Sequence, residues 1–159
     1  SPLTNTIFDS LAGGFFGATL KMAGYDAIIV IGRAEKPVYL YIDNEDVELR
    51  DASYLWGRTV SEVNDLLERE LGNKFKIATI GPAGENLVRF ASIMHEKSRA
   101  SGRGGLGAVW GYKKLKAIVV KGDKRVNEAK PEELNKHLES SIKSCAKTIW
   151  HIFFTFVNQ

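Results

Sequence analysis

A single cysteine, Cys145, only four prolines and no long apolar run set the first limits on this chain of 159 residues. One thiol cannot close an internal disulfide. Nor can it hold an iron–sulfur cluster or a structural zinc, each of which needs several side-chain ligands. Any metal must therefore be held in another way. No stretch approaches the roughly 18–20 apolar residues of a membrane span, and Ser1-Pro2-Leu3-Thr4 offers neither a basic n-region nor an apolar h-region. The expectation is a soluble, cytoplasmic protein of a reducing compartment, with no membrane contact. A large excess of one charge is also missing. A net +3 is far from that of a dedicated nucleic-acid binder, and 44% apolar residues are too many for a disordered chain. The length suits one globular domain with a true core and leaves no room for a second full one.

What charge there is lies unevenly. From Lys97 to Arg125 nine basic residues face one acid, Asp123, a local net +8, while the remainder carries −5. Such a block reads as a solvated basic face or, because glycines share the place, as a local anion site.

Glycine is plentiful. A glycine-rich loop, Ser10 to Gly17, leads into a short helical pattern through Leu20 and Met22 that Gly24 ends. Asp26 to Gly32 is a continuous β-branched run and predicts a buried strand. Lys36 to Asp43 alternates Val38, Leu40 and Ile42 with Tyr39 and Tyr41, and a turn at Asp43–Asp46 predicts a β-hairpin returning through Val47 and Leu49. Thr59 with Glu62 reads as a capping box opening a helix whose apolar positions run from Val60 to Leu71, with Gly72 at its C-terminal stop. Lys76–Ile80 predicts a strand, Gly81–Gly84 a turn and Leu87–Met94 an extended segment. A second glycine-rich loop, Arg99 to Gly107, precedes a short helix through Trp110 and a buried strand over Leu115–Val120.

The order repeats. Ala27/Ala117, Ile28/Ile118, Val30/Val120 and Gly32/Gly122 are each 90 positions apart, as are Gly14/Gly104 and Gly17/Gly107. Either a duplicated half-domain facing one ligand or a chance likeness of glycine- and isoleucine-rich segments accounts for this. Beyond Asp123 the composition turns polar, and Pro131 stands at an N1 position before Leu134, Leu138, Ile142 and Cys145 on one helical face. Residues 149–157 are apolar all round, which suggests that the natural chain is interrupted there.

Few residues look catalytic. His95, His137 and His151 lack metal-ligand spacing, and His137 reads as solvent-exposed. Cys145 reads as a small core residue, and Asp9 and Glu85 as turn or capping groups. Gly102, Gly104 and Gly107 fit G-x-G-x-x-G with Asp123 downstream, but a polar segment precedes them where a dinucleotide fold needs a buried strand. The conjunction that carries weight is glycine, arginine and helix start: close backbone approach, bidentate charge-assisted hydrogen bonds and a partial positive charge. Arg99 and Arg103 bracket such a place. A phosphate-bearing anionic cofactor is the inference, without indication of which one. Trp110 and Tyr112 alone fall inside the basic block, too few for a base-stacking surface, so no nucleic-acid partner is expected.

Several blocks in order then resemble one family. Ser1–Thr4, Gly13-Gly14-Phe15-Phe16-Gly17, Ala23-Gly24-Tyr25-Asp26-Ala27-Ile28, Gly32–Val38, Ile80–Val88 and Gly102-Arg103-Gly104-Gly105-Leu106-Gly107-Ala108-Val109 closely resemble the N-terminal domain of tungsten-containing aldehyde ferredoxin oxidoreductases. The resemblance runs to about Val126. It implies an α+β fold, with duplicated half-domains of β-sheet and short helices over residues 1–126. Residues 127–159 would begin a helical domain or form a truncated tail. It also implies a tungstopterin, in which two pyranopterins hold one tungsten or molybdenum and their phosphates are bridged by Mg2+ on backbone carbonyls. Carried over by motif, Leu11, Ala12 and Gly13 form one pterin loop and Arg99, Ala100 and Gly102 the other, with the Leu11 and Ala100 carbonyls toward magnesium. Leu11-Ala12 stands where the family has Asn-Ser, so a side-chain hydrogen bond is lost there while the carbonyl remains. The implied reaction is oxidation of an aldehyde to a carboxylate, with electrons leaving through a [4Fe–4S] cluster to ferredoxin, in an enzyme that could be a homo-oligomer. This chain has no ligands for that cluster and would supply the cofactor platform only. A truncated, non-catalytic or anion-binding remnant is the alternative.

Overall fold

The computed structural model describes the backbone of residues 6–7 and 9–157, with side chains up to residue 146. The Ser1–Thr4 block therefore lies outside the described residues. Two compact units divide the chain, Ser1–Arg125 and Val126–Gln159.

The first unit is built on one mixed sheet. Its strands are β1 (Val38–Asp43), β2 (Asp46–Asp51), β3 (Lys76–Thr79), β4 (Ile93–His95), β5 (Arg99–Ser101) and β6 (Leu115–Lys121), in the spatial order β2-β1-β6-β3-β4-β5. β6 runs parallel to β1; every other neighbour is antiparallel. The strand richest in β-branched residues thus takes the centre, where both faces are covered. Its side chains alternate: Ala117 and Val119 join one buried cluster, Ile118 and Val120 the other.

The first face is closed by α2 (Val60–Leu71). Thr59 Oγ1 accepts from Glu62 N, and Thr59 N donates to Glu62 Oε2 at 2.8 Å, so the capping box forms as the sequence predicts. Val63 and Leu67 are fully buried against Tyr39, Phe75 and Ile77. Burial of each such side chain is worth roughly 1.5–3 kcal/mol before the entropy of ordering is set against it.

The opposite face is closed by α1 (Phe16–Met22) and α4 (Leu106–Tyr112). The two helices have equal length and lie 90 residues apart at both ends. The left-handed position following each is also 90 apart: Gly24, with φ 101°, and Lys114, with φ 56°. A one-turn helix, α3 (Pro82–Glu85), stands where the sequence suggests a turn, and it packs on α4 through backbone. A Cβ on Gly111 would lie 1.9 Å from Gly84 O, and one on Gly107 would lie 2.6 Å from Ser92 O. Close packing, rather than a phosphate, therefore explains Gly107, the last glycine of the G-x-G-x-x-G pattern.

Three expectations fail locally. Residues 26–32 form no strand: the segment is not in the sheet, with Ile28 and Val30 turned to the core and Ile29 and Ile31 each 86% exposed. Residues 87–92 are turns, because Leu87 takes left-handed backbone at φ 58°, and only Ile93–His95 is extended. The stretch beginning at Arg99 opens as edge strand β5, so the second glycine loop proper starts at Gly102.

The second unit is the helix α5 (Pro131–Val157), whose backbone continues through the apolar segment. Leu134, Leu138 and Ile142 are exposed on it, and so is Cys145, which is therefore not a core residue. Among the described residues no helix is long and apolar enough to cross a membrane.

Candidate cofactor site

The fold brings the two glycine segments together at one end of the sheet. The first is Ser10–Gly14, leading into α1; the second is β5 with the turn that follows it into α4. They are joined directly, Arg103 N donating to Ser10 Oγ at 3.1 Å across 93 residues of sequence. Between them is a cavity of about 420 Å3 lined by Asp9, Ser10, Leu11, Ala100, Gly102 and Arg103.

Of the six residues expected to contact a cofactor, Leu11, Ala100 and Gly102 line this cavity. Arg99 lies beside it, its guanidinium over the first loop: a Cβ on Gly13 would stand 3.1 Å from Arg99 Nη1. Gly13 and Gly14 are thus both bare where the arginine approaches. Ala12 is exposed within the same loop. Arg99 is exposed, and among the described residues no carboxylate pairs with it. A guanidinium left open beside bare backbone is suited to a bidentate phosphate contact.

The helix starts are partly engaged within the protein. The amide at the start of α1, Phe15 N, donates to Glu96 Oε1 at 3.0 Å. At the start of α4, Gly107 N donates to Ala91 O at 2.9 Å, and the Gly105 backbone is crowded by Arg89 O. One amide at each helix start is thus already bonded to a protein acceptor, and each helix has only seven residues. Arg99 and Arg103 bring positive charge to the site.

His95 sits under the loops on β4, with Nε2 3.2 Å from Ser101 Oγ and its ring edge-on to Phe16 at 5.3 Å. Burial lowers the pKa of its imidazole from the ordinary histidine value, against the opposing charge of Glu96. Among the described residues no three of His, Cys, Asp and Glu converge. Among the lining residues, backbone carbonyls, the Ser10 hydroxyl and the Asp9 carboxylate are the oxygen donors of the kind a hard cation takes.

Sequence reasoning missed two features. Lys116, counted with the solvated basic block, is wholly buried. Val38 pairs with Leu115 and Tyr39 with Ala117, so Lys116 is the extra residue of a β-bulge. Its ammonium is bonded to Glu85 and donates to Arg58 O at 3.0 Å, while Glu85 Oε2 accepts from Gly57 N at 2.8 Å. Glu85 thus ties α3 to the central strand instead of capping a turn. Desolvation lowers the Lys116 pKa despite Glu85 beside it. The signal was a lysine within an apolar run. The second feature, Glu96, gave none, because its partner lies 81 residues away.

The chain is similar to known proteins over most of its length. Residues 1–122 match the family model described as aldehyde ferredoxin oxidoreductase, N-terminal domain. The chain is similar to the tungsten-containing aldehyde ferredoxin oxidoreductase of Pyrococcus furiosus, 61% identical over 127 residues, covering 79% of this chain and 21% of that protein. The corresponding protein of Pyrococcus horikoshii is 54% identical over 148 residues, covering 92% and 24%. An aliphatic sulfonate oxidoreductase, WOR-like subunit, of Pyrococcus furiosus is 40% identical over 151 residues, covering 87% and 24%. Among solved structures, the active site complex BamBC of benzoyl coenzyme A reductase, in complex with 1,5-dienoyl-CoA, matches with a TM-score of 0.76. It is 49% identical and is matched over 78% of this chain and 19% of that one. The chain spans about a fifth to a quarter of the length of these relatives.

Proposed function

This chain belongs to the aldehyde ferredoxin oxidoreductase family through its N-terminal domain, and from that premise we propose that its first unit is the phosphate-anchoring platform for a tungstopterin. The observation that carries the reading is the cavity shared by the two loops, with the unpaired Arg99 guanidinium beside it. The residues fit such a group. Gly102 has only Ala100 Cβ, 4.0 Å away, near the place a side chain would fill, so its backbone is open to a ligand. Leu11 and Ala100 line the cavity from opposite loops, and their backbone carbonyls would be the groups to hold a Mg2+ there. Loss of the side-chain hydrogen bond at Leu11 leaves that carbonyl in place.

In this reading Arg99 takes a phosphate in its fork, and Arg103 supplies further positive charge from across the cavity. Ala12 and Gly13 offer bare loop backbone, and Asp9 is the one acid at the rim. When bound, the tungstopterin supplies the two-electron redox chemistry; this chain's residues bind and orient it. Relatives named for aldehydes, for aliphatic sulfonates and for glyceraldehyde-3-phosphate all align with this segment. That spread of names supports a common role in anchoring rather than in choice of substrate. For the native protein we infer oxidation of an aldehyde to a carboxylate in the cytoplasm, with electrons passing through a [4Fe–4S] cluster to ferredoxin.

Arg99→Ala in the native protein, purified without oxygen, tests this. Tungsten or molybdenum content should fall at least tenfold, because a charge-assisted bidentate contact is lost. Full metal occupancy in the variant would overturn the assignment.

A further inference from the structure

Glu96 has so far no role toward the ligand, yet it touches both sides of the cavity's frame. It stands in the turn between β4 and β5 with left-handed backbone, φ 49°, followed by Lys97 at φ 66°. Two consecutive non-glycine residues in that region persist only where their surroundings fix them. Here Glu96 N donates to Ile77 O at 3.0 Å, and Lys97 Nζ lies 2.7 Å from Asp65 Oδ1 and 3.6 Å from Glu68 Oε2 on α2. The turn is thus anchored to the sheet and to the helix behind it.

From that anchored turn the carboxylate crosses to the first loop. Oε1 accepts from Phe15 N at 3.0 Å. A Cβ on Gly14 would lie 2.8 Å from Oε2 and 2.9 Å from Arg99 Cδ, so the carboxylate and the arginine stem lie side by side against Gly14. Glu96 also fills the amide at the head of α1, which leaves a ligand anion the Leu11–Gly13 side of the loop.

We propose that Glu96 is a positioning residue of the cradle: its carboxylate locks the Gly14–Phe15 backbone, and with it the Leu11 and Gly13 backbone, in register with Arg99 and Ala100. The assignment rests on the reading of the two loops as a phosphate cradle. What matters is an acceptor of the right reach. Glutamine preserves reach and acceptor while removing the charge; aspartate preserves the charge and loses the reach.

The test is calorimetric titration of the full chain with magnesium pyrophosphate, joined to hydrogen exchange at the Phe15 amide. Wild type and Glu96→Gln should bind within about twofold of each other and protect that amide. Glu96→Asp and Glu96→Ala should bind about tenfold more weakly and leave it unprotected. Binding by all four proteins alike, or rescue by aspartate and not by glutamine, would overturn the proposal. Should the alanine variant fail to fold, the glutamine and aspartate pair still decides. A wild-type chain that binds no magnesium pyrophosphate, with metal retained in native Arg99→Ala protein, removes the cradle reading itself. Binding by wild type with no loss in Glu96→Asp removes only the role of Glu96.

Discussion

Two stretches of this molecule share a sequence pattern and part ways in structure. Residues 14–32 and 104–122 each run from glycine loop through seven-residue helix and left-handed residue to an apolar segment with β-branched residues that ends in glycine. In the second copy that segment is β6, with β1 on one side and β3 on the other. In the first it lies outside the sheet, with Ile28 and Val30 on the core and the remaining side chains in solvent. The contrast extends to the polar residue at the start of each segment. Lys116 is buried and paired with Glu85, whereas Asp26 is 81% exposed and its partner Lys21 is 51% exposed. A β-branched run specifies an extended backbone; membership of a sheet needs neighbours with free donors and acceptors, which the run itself cannot supply.

The sharpest way to break the comparison is at those polar positions. Glu85→Ala strands a buried ammonium, and Lys116→Met strands a buried carboxylate. Each should lower the unfolding free energy by about 3–5 kcal/mol in urea titrations. Lys116→Met combined with Glu85→Leu should recover most of the loss, since an apolar pair of similar volume needs no partners. Asp26→Ala should change nothing measurable. The pH dependence follows the same pair. Burial lowers the Lys116 pKa below 10.5, so between that lowered value and 10.5 the unfolded chain binds more protons than the folded one. Stability therefore rises with pH through that window. Lys116→Met should flatten the slope; an unchanged slope would place its origin elsewhere.

This explains what was legible in the sequence. The capping box at Thr59 and Glu62, the hairpin at Asp43–Asp46 and the two short helices depend on residues within a few positions of one another, and each forms as read. The glycine segments could be read as a candidate anion site because the residue types that suggest one lie close together in the chain. What the chain concealed is set by distant partners: the bulge that turns Lys116 toward Glu85, the crossing of Glu96 to Phe15, and the isolation of residues 26–32. The glycines of α4 belong to both classes, since their spacing was plain but its cause is α3 lying against them.

The next test compares one side chain in both copies. Ile118 is 4% exposed within the sheet, and Ile28, at the equivalent position, packs half-buried on the same cluster. Ile118→Ala should lower the unfolding free energy by about 2–5 kcal/mol. Ile28→Ala should lower it by about 1 kcal/mol, in proportion to the smaller area it removes from water. Equal losses would mean that the first segment is held as firmly as a central strand, and the contrast would collapse.

The smallest effect is expected where the two copies differ most. Ile29 and Ile31 face solvent, and substituting both with threonine keeps β-branching, and with it the extended preference, while removing apolar surface. Since neither packs on the core, stability should move by less than about 0.5 kcal/mol. Exposed β-branched residues on a segment outside the sheet are the arrangement that invites pairing between chains. The double variant should accordingly show less concentration-dependent light scattering than wild type at equal stability. A loss above about 1 kcal/mol would instead reveal that both isoleucines are covered in solution, and the first copy would then resemble the second after all.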